Sequence, residues 1–234
     1  MKVIADIGSN WNTLDDSLNA IAACKKAEID YVKFQYFTHE KLYGFPGKMK
    51  GELPQSWVEA LAMRCNELEI GFMCSVFDPD DVAFIDQYVN IHKIASSENS
   101  YAELIYLVSD TEKPLLISCG CKDSYNGVSI RDIHKAIPMA CIANYPADTY
   151  PIEQLVALSH DTSRCFGLSD HNPSDFGYEL AYRFGCSYYE FHFNPLKIKS
   201  ADSSHSRTTF TKKVFPEHEL KEGRKFLRPY PKAD

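Results

Sequence analysis

Short apolar runs return along the chain at nearly regular intervals, and stretches with helical periodicity separate them. The runs begin at Val3 (VIADIG), Tyr31 (YVKFQ), Gly71 (GFMCSVF), Ile91 (IHKIAS), Pro114 (PLLISCG), Met139 (MACIANY), Cys165 (CFGLSD) and Tyr188 (YYEFHF). They are short, rich in β-branched and aromatic residues, and bounded by polar, Gly or Pro segments, which is the signature of buried strands. The intervening stretches repeat apolar residues every three to four positions. Leu14, Leu18, Ile21 and Ala22 share one face of the first. Further helices are predicted over 56–69, 78–89, 101–110, 129–137, 151–160, 175–185 and 217–227. Asp78 then Pro79 read as an N-cap and first helical residue, and Gly185 reads as a helix stop. The longest connection without a periodic pattern, residues 38–55, follows the second strand.

Eight strands alternating with eight helices require parallel pairing through right-handed crossovers. In a chain of 234 residues the natural closure is a (β/α)8 TIM barrel, an α/β fold forming a single domain over 1–234. An open doubly wound sheet is the rival, and the absence of GxGxxG after the first strand counts against it.

Composition narrows the function. The net charge of −7 excludes a broad basic surface, so no nucleic-acid partner is expected. No apolar run approaches the length of a membrane span, and the first residues lack a secretory h-region. A cytoplasmic protein without a membrane partner is the expectation. The eight cysteines are scattered through apolar runs with no CxxC pair, as reduced core cysteines would be.

Barrel enzymes assemble their sites from the C-terminal ends of strands. Those ends carry Asp6, Lys33 and Gln35, Ser75, Lys93 and Ser96, Ser118, Tyr145, Ser169 and His171, and Glu190 and His192. Alternation along a strand puts Lys33 and Gln35 on one face, and likewise Ser169 with His171 and Glu190 with His192. Because Val32 and Phe34 suit the helix-covered face, the polar partners should point into the barrel. Lys93 and Ser96 differ in parity, so one of them belongs on the turn. Two buried ammonium groups call for an anion. A phosphate aided by hydroxyls from Ser75, Ser96, Ser118 and Ser169 would serve. His171 and His192, at the ends of successive strands, can reach one divalent cation, with Glu190 or Asp202 as a further ligand, a partner behind it, or a base.

The motifs IADIGSNWN, VKFQ, FMCSVFD, HKIASSEN, ISCG, NYP, GLSDH and YYEFHF resemble, in order, those of the N-acetylneuraminate (sialic acid) synthase family. The resemblance implies a barrel that condenses phosphoenolpyruvate with an N-acetylated amino sugar, or another aldehyde, using Mn²⁺ or Mg²⁺. It implies that His171 and His192 bind the metal. Lys33, Ser75, Lys93, Ser96 and Ser169 would hold phosphoenolpyruvate, and Gln35 and Tyr145 would face the sugar. Glu190 and Asp202 would stand near the metal, and Asp6 or Asp202 would orient or deprotonate a water. A homodimer is also implied. The sequence departs from the family pattern at Asp6, Trp11, Ser75-Val76, Ala143 and Phe191. It ends after the eighth predicted helix, without the C-terminal antifreeze-like domain many members carry. Two other readings fit the residues: a non-catalytic barrel binding a phosphorylated ligand, and a metal-dependent or Schiff-base aldolase using a lysine such as Lys33.

Overall fold

The structure is a computed structural model. It describes residues 1–215 except 121–123, 126–127, 130–132, 134 and 162–163. In chain order its elements are β1 (Lys2–Asp6), α1 (Leu14–Lys26), β2 (Tyr31–Tyr36), α2 (His39–Tyr43), α3 (Gln55–Glu67), β3 (Gly71–Val76), α4 (Val82–Asp86), β4 (Ile91–Ile94), α5 (Ala102–Ser109) and β5 (Leu115–Ser118). A hairpin of β6 (Ser124–Tyr125) and β7 (Val128–Ser129) follows. Then come β8 (Ala136–Cys141), α6 (Ile152–Ser159), β9 (Gly167–Asp170), α7 (Phe176–Phe184) and β10 (Tyr188–His192). Eight parallel strands close in the order β1-β10-β9-β8-β5-β4-β3-β2, the barrel that the alternation requires.

Local chemistry explains most boundaries. Thr13 caps α1 with a full capping box: it accepts from Asp16 N, and the Asp16 carboxylate accepts from Thr13 N. Asp78 caps a 3-10 turn over Pro79–Asp81, which runs into α4. Gly185 ends α7 in the left-handed conformation, at φ 74°. Residues 38–55 hold a short helix, α2, capped by Thr38 and stopped by left-handed Gly44.

The helix expected over 129–137 is corrected. Ser129 ends the hairpin, and β8 begins at Ala136, three residues before the expected strand. Pro138 disfavours the helical conformation in the residue before it, and Lys135 turns into β8 with φ 64°. Residues 130–132 and 134, and the helix expected over 217–227, lie outside the described residues.

The barrel interior is layered by strand parity. Ile4, Met73, Ile91, Leu116 and Met139 form an apolar plug. Two residues further along the same strands stand Asp6, Ser75, Lys93, Ser118 and Cys141, the first four of them lining the cavity above. The larger apolar core lies between strands and helices and includes Val32, Phe34, Phe72 and Leu168. Gly167 leaves room for the plug: a Cβ there would sit 2.3 Å from Met139 Sδ and 2.7 Å from Tyr188 O.

After β10 the chain forms a strap across the barrel mouth, residues 194–207. Its ends are stitched by Asn194 N to Arg207 O (2.7 Å) and Arg207 N to His192 O (2.9 Å). Gly167→Ala should overpack the plug and cost about 1–3 kcal/mol, seen as a lower urea midpoint with an unchanged denaturant slope. An unchanged midpoint would mean that the plug shifts freely.

Candidate active site

The polar strand ends converge on one cavity of about 310 Å³. It is lined by Asp6, Lys33, Gln35, Ser75, Phe77, Lys93, Ala95, Ser96, Ser97, Ser118, Tyr145, Ser169, His171, Glu190, His192, Asp202 and His205. All thirteen residues singled out in the sequence are among them. The parity argument holds for Lys33 with Gln35, Ser169 with His171, and Glu190 with His192. Ser96, not Lys93, occupies the turn after β4, opening a 3-10 turn over Ser96–Glu98.

The floor of the cavity is a lysine–carboxylate array. Lys33 Nζ donates to Asp6 Oδ2 at 2.7 Å and to Ser75 Oγ at 3.2 Å. Lys93 Nζ donates to Ser118 Oγ at 2.8 Å and to Ile94 O at 3.0 Å. Glu190 Oε1 stands 3.9 Å from Lys33 Nζ and 3.8 Å from Lys93 Nζ, and accepts from Ser169 Oγ at 3.1 Å. Burial opposes the Lys33 charge, but Asp6 and Glu190 outweigh it and hold its pKa above the ordinary lysine value. Burial dominates at Lys93, with Lys33 adding repulsion, and its pKa is lowered despite Glu190. Asp6 is buried too. Lys33, His192 and the hydrogen bonds from Lys33 and Gln35 overcome that burial and hold its carboxyl at about 2.

The anion that two buried ammonium groups call for is met in part from within. The protein supplies Asp6 and Glu190 itself. Among the described lining residues, two ammonium groups face three carboxylates, one negative charge in excess with the histidines neutral. The surplus shows in unpartnered buried atoms: Asp6 Oδ1, Glu190 Oε2, His192 Nδ1 and His205 Nε2. Carboxylate oxygens can only accept, and an imidazole nitrogen can present a lone pair. This set fits a divalent cation together with hydroxyl-bearing ligands.

Imidazoles form the rim. His171 Nδ1 lies 2.7 Å from Ile142 O, so Nδ1 carries the hydrogen and Nε2 keeps its lone pair. Burial, with His192 and Lys93 nearby, lowers the His171 pKa to about 3, so the ring is neutral near pH 7. The His171 and His192 rings are 5.4 Å apart. Tyr145 differs from its expected place at the end of a strand. It lies four residues beyond β8, on the loop, and its ring stacks on His171 at 4.0 Å and meets His192 and His205 edge-on at 5.5 and 5.0 Å. Burial and the surrounding anions push its phenol pKa up, which keeps it a neutral hydroxyl.

Asp202 comes from the strap. Its Oδ2 accepts from Ser9 N at 2.7 Å, and Gly8 permits the approach. Gly8 is left-handed (φ 53°), and a Cβ there would fall 2.2 Å from Asp202 Oδ2. Asn10 holds the strap by donating to Ser206 Oγ (2.8 Å) and accepting from Ser200 Oγ (2.6 Å). Arg207 anchors it from behind. Its guanidinium donates to Asp170 Oδ2 (2.5 Å) and Asn172 O (3.0 Å) and lies 5.0 Å from the centre of the Phe191 ring.

Sequence reasoning missed four participants: His205, Asn10 as a strap holder, Arg207 and Gly120. Gly120 N donates to Ser96 Oγ at 3.0 Å, and a Cβ there would crowd that oxygen at 2.7 Å. The one sequence signal for His205 is its spacing of three from Asp202.

A closed parallel barrel with buried lysines and an imidazole rim at the C-terminal ends of its strands has the layout of a barrel-enzyme active site. The chain belongs to the NeuB family, whose model matches residues 20–214. Pseudaminic acid synthase of Campylobacter jejuni is 26% identical over 234 residues, covering 87% of this chain and 68% of that protein. The spore coat polysaccharide biosynthesis protein SpsE of Bacillus subtilis is 27% identical over 239 residues, covering 86% of this chain and 62% of that protein. The solved N-acetylneuraminic acid synthetase of Leptospira borgpetersenii shares the fold with a TM-score of 0.76 at 22% identity, over 99% of this chain and 87% of that one. No helix among the described residues is long and apolar enough to cross a membrane.

The Asp6 carboxyl has a folded pKa below its ordinary 3.8. Its contribution to stability is therefore present above pH 3.8 and is lost as the pH falls toward about 2. Asp6→Asn should lose about 3–5 kcal/mol near neutral pH, because Lys33 loses its counter-charge. That deficit should narrow as acid unfolding is followed downward through this window. A deficit independent of pH would show that the Asp6–Lys33 pair is not its source.

Proposed function

We propose that this protein is a phosphoenolpyruvate-dependent synthase. It joins phosphoenolpyruvate to an aldehyde acceptor, an N-acetylated amino sugar in its open form, giving a 2-keto acid and phosphate. The observation that carries this reading is the division of one cavity into two halves. Lys33 and Lys93 with their serine hydroxyls form one half, and the imidazoles with Asp202 form the other. Family membership and relatives named as pseudaminic acid synthases support the same reaction type.

In the proposed reaction Lys33 and Lys93 bind the anionic groups of phosphoenolpyruvate, and Ser75, Ser96, Ser118 and Ser169 donate to its oxygens. Glu190, between the two ammonium groups, keeps both in place when the cavity is empty. Gln35 and Tyr145 face the acceptor. His171, His192 and Asp202 would hold a divalent cation, which when bound supplies Lewis acidity toward a carbonyl oxygen. The enol carbon attacks the aldehyde carbon, forming the carbon–carbon bond, breaking the carbonyl π bond, and leaving a cation at C2 and an alkoxide on the former aldehyde. Water adds at the C2 cation, oriented by Asp6 or Asp202, and its proton ends on the alkoxide of the former aldehyde, which becomes a hydroxyl. The C2–oxygen bond to phosphate then breaks as the C2 hydroxyl proton passes to the departing phosphate, leaving the ketone and inorganic phosphate. The lysines stabilise the charge on that leaving group.

Lys33 is a poor Schiff-base nucleophile, since Asp6 and Glu190 keep it protonated. Lys93, with a lowered pKa, is the residue that an aldolase reading would use instead.

The test is phosphate release from phosphoenolpyruvate with Mn²⁺ across a panel of aldoses that includes N-acetylated amino sugars. The expected result is one phosphate per 2-keto acid, abolished by chelator, with Lys93→Met lowering the rate by about 10²–10³-fold. Phosphate release with no acceptor in the panel would sink the condensation. Tight calorimetric binding of phosphoenolpyruvate without turnover would instead mark a binding barrel. Borohydride trapping of a carbonyl substrate, lost in Lys93→Met, would assign the Schiff-base route.

A further inference from the structure

We propose that His205 is a ligand of the divalent cation, completing with His192 and Asp202 a nitrogen-rich site built on the strap. This rests on the metal reading above and goes beyond the histidine pair His171 and His192 that the strand motifs imply. His192, Asp202 and His205 each offer a ligand atom, and these atoms all lie within 4.8 Å of one another. The His192 and His205 rings meet edge-on at 4.5 Å. Both rings are at least nine-tenths buried, and each keeps one nitrogen with no hydrogen-bond partner among the described residues, His192 Nδ1 and His205 Nε2. Two buried, unpartnered imidazole nitrogens side by side are costly, and in the tautomer that leaves each unprotonated they present lone pairs to a cation.

A purely structural role for His205 fits the contacts poorly. Its Nε2 is 3.7 Å from Asp202 Oδ1, too long for a hydrogen bond. Among the described residues its other nitrogen has one polar contact, the Ser204 hydroxyl at 3.5 Å.

The local backbone accounts for the juxtaposition. Residues Ala201–Ser204 form a 3-10 turn that His205 closes. Side chains three residues apart eclipse in 3-10 geometry, so Asp202 and His205 project on the same side. The turn is held from several directions: Ser9 N fixes Asp202 Oδ2, Ser206 Oγ donates to Asp202 O at 2.7 Å, and Arg207 is anchored to Asp170. With Oδ2 committed to Ser9, Oδ1 is the Asp202 atom left for the ion. With His171 from the reading above, three imidazoles and one carboxylate favour Mn²⁺, Co²⁺ or Zn²⁺ over Mg²⁺, which prefers oxygen donors.

The experiment titrates the chelator-stripped full chain with MnCl₂ and follows the electron paramagnetic resonance signal of the free ion. The wild type should take up one Mn²⁺, and bind it more tightly than Mg²⁺ in competition. His205→Ala and the bulkier His205→Gln should weaken Mn²⁺ by about 10-fold or more, while keeping the metal-free thermal midpoint of the wild type. A Co²⁺ titration should show a visible absorption band that shifts in both variants. If both bind Mn²⁺ like the wild type while His192→Ala does not, His205 is no ligand and the metal reading stands. If the wild type takes up no Mn²⁺, the metal reading falls, and this inference with it. Equal affinity for Mg²⁺ and Mn²⁺ would mean an oxygen-donor site and would overturn the nitrogen-rich set.

Discussion

Two ammonium groups taken out of water in the mouth of a barrel must be held by fixed acceptors, and the rest of the site follows from how this is done. Lys33 is paired with Asp6, Lys93 with a serine hydroxyl and a backbone carbonyl, and Glu190 lies almost equidistant from both. A buried ion pair is tolerable only with good geometry and its remaining valences satisfied. Here some valences are left open, on Asp6 and Glu190 and on two imidazoles. The cavity is therefore neither a plain anion hole nor a closed structural network. It offers cations to one part of a ligand and acceptors to another.

The barrel makes this arrangement affordable by stacking it on an apolar plug. Within single strands the switch from plug to site takes two residues: Ile4 to Asp6, Met73 to Ser75, Ile91 to Lys93, Leu116 to Ser118. The plug excludes water from below, which strengthens every interaction in the polar layer. The same layer would become a liability without cover from above, and the strap supplies part of that cover. It brings Asp202 and His205 to a rim otherwise built from strand ends and the Tyr145 loop.

Much of the site was legible because strand parity is a local property. Lys33 with Gln35, and Glu190 with His192, could be placed inward from the neighbouring apolar residues alone. Ser96 could be narrowed to strand or turn. The misses have equally definite causes. The 129–137 stretch has helical spacing, but Pro138 and left-handed Lys135 decide against it at its C-terminal end. Tyr145 ends an apolar run, yet the strand stops at Cys141 and the remaining residues turn over the mouth. The sequence called for an anion at the lysines and placed Asp6 and Glu190 at strand ends, but the distances that pair these carboxylates with Lys33 and Lys93 come only from the closed barrel.

By itself the sequence determined the alternation of strands and helices, the closure it forces, and the inward face of the second, seventh and eighth strands. These depend on periods of two and of about 3.6 residues, which a short window contains. Tertiary structure alone decided which charges meet and where the strap lies. Ser9 and Asp202 are hydrogen-bonded across 193 residues of chain, and Asn10 meets Ser200 across 190. Contacts of that range depend on closing the barrel first. Only then do a glycine that admits a carboxylate and a histidine three residues past it become parts of one site.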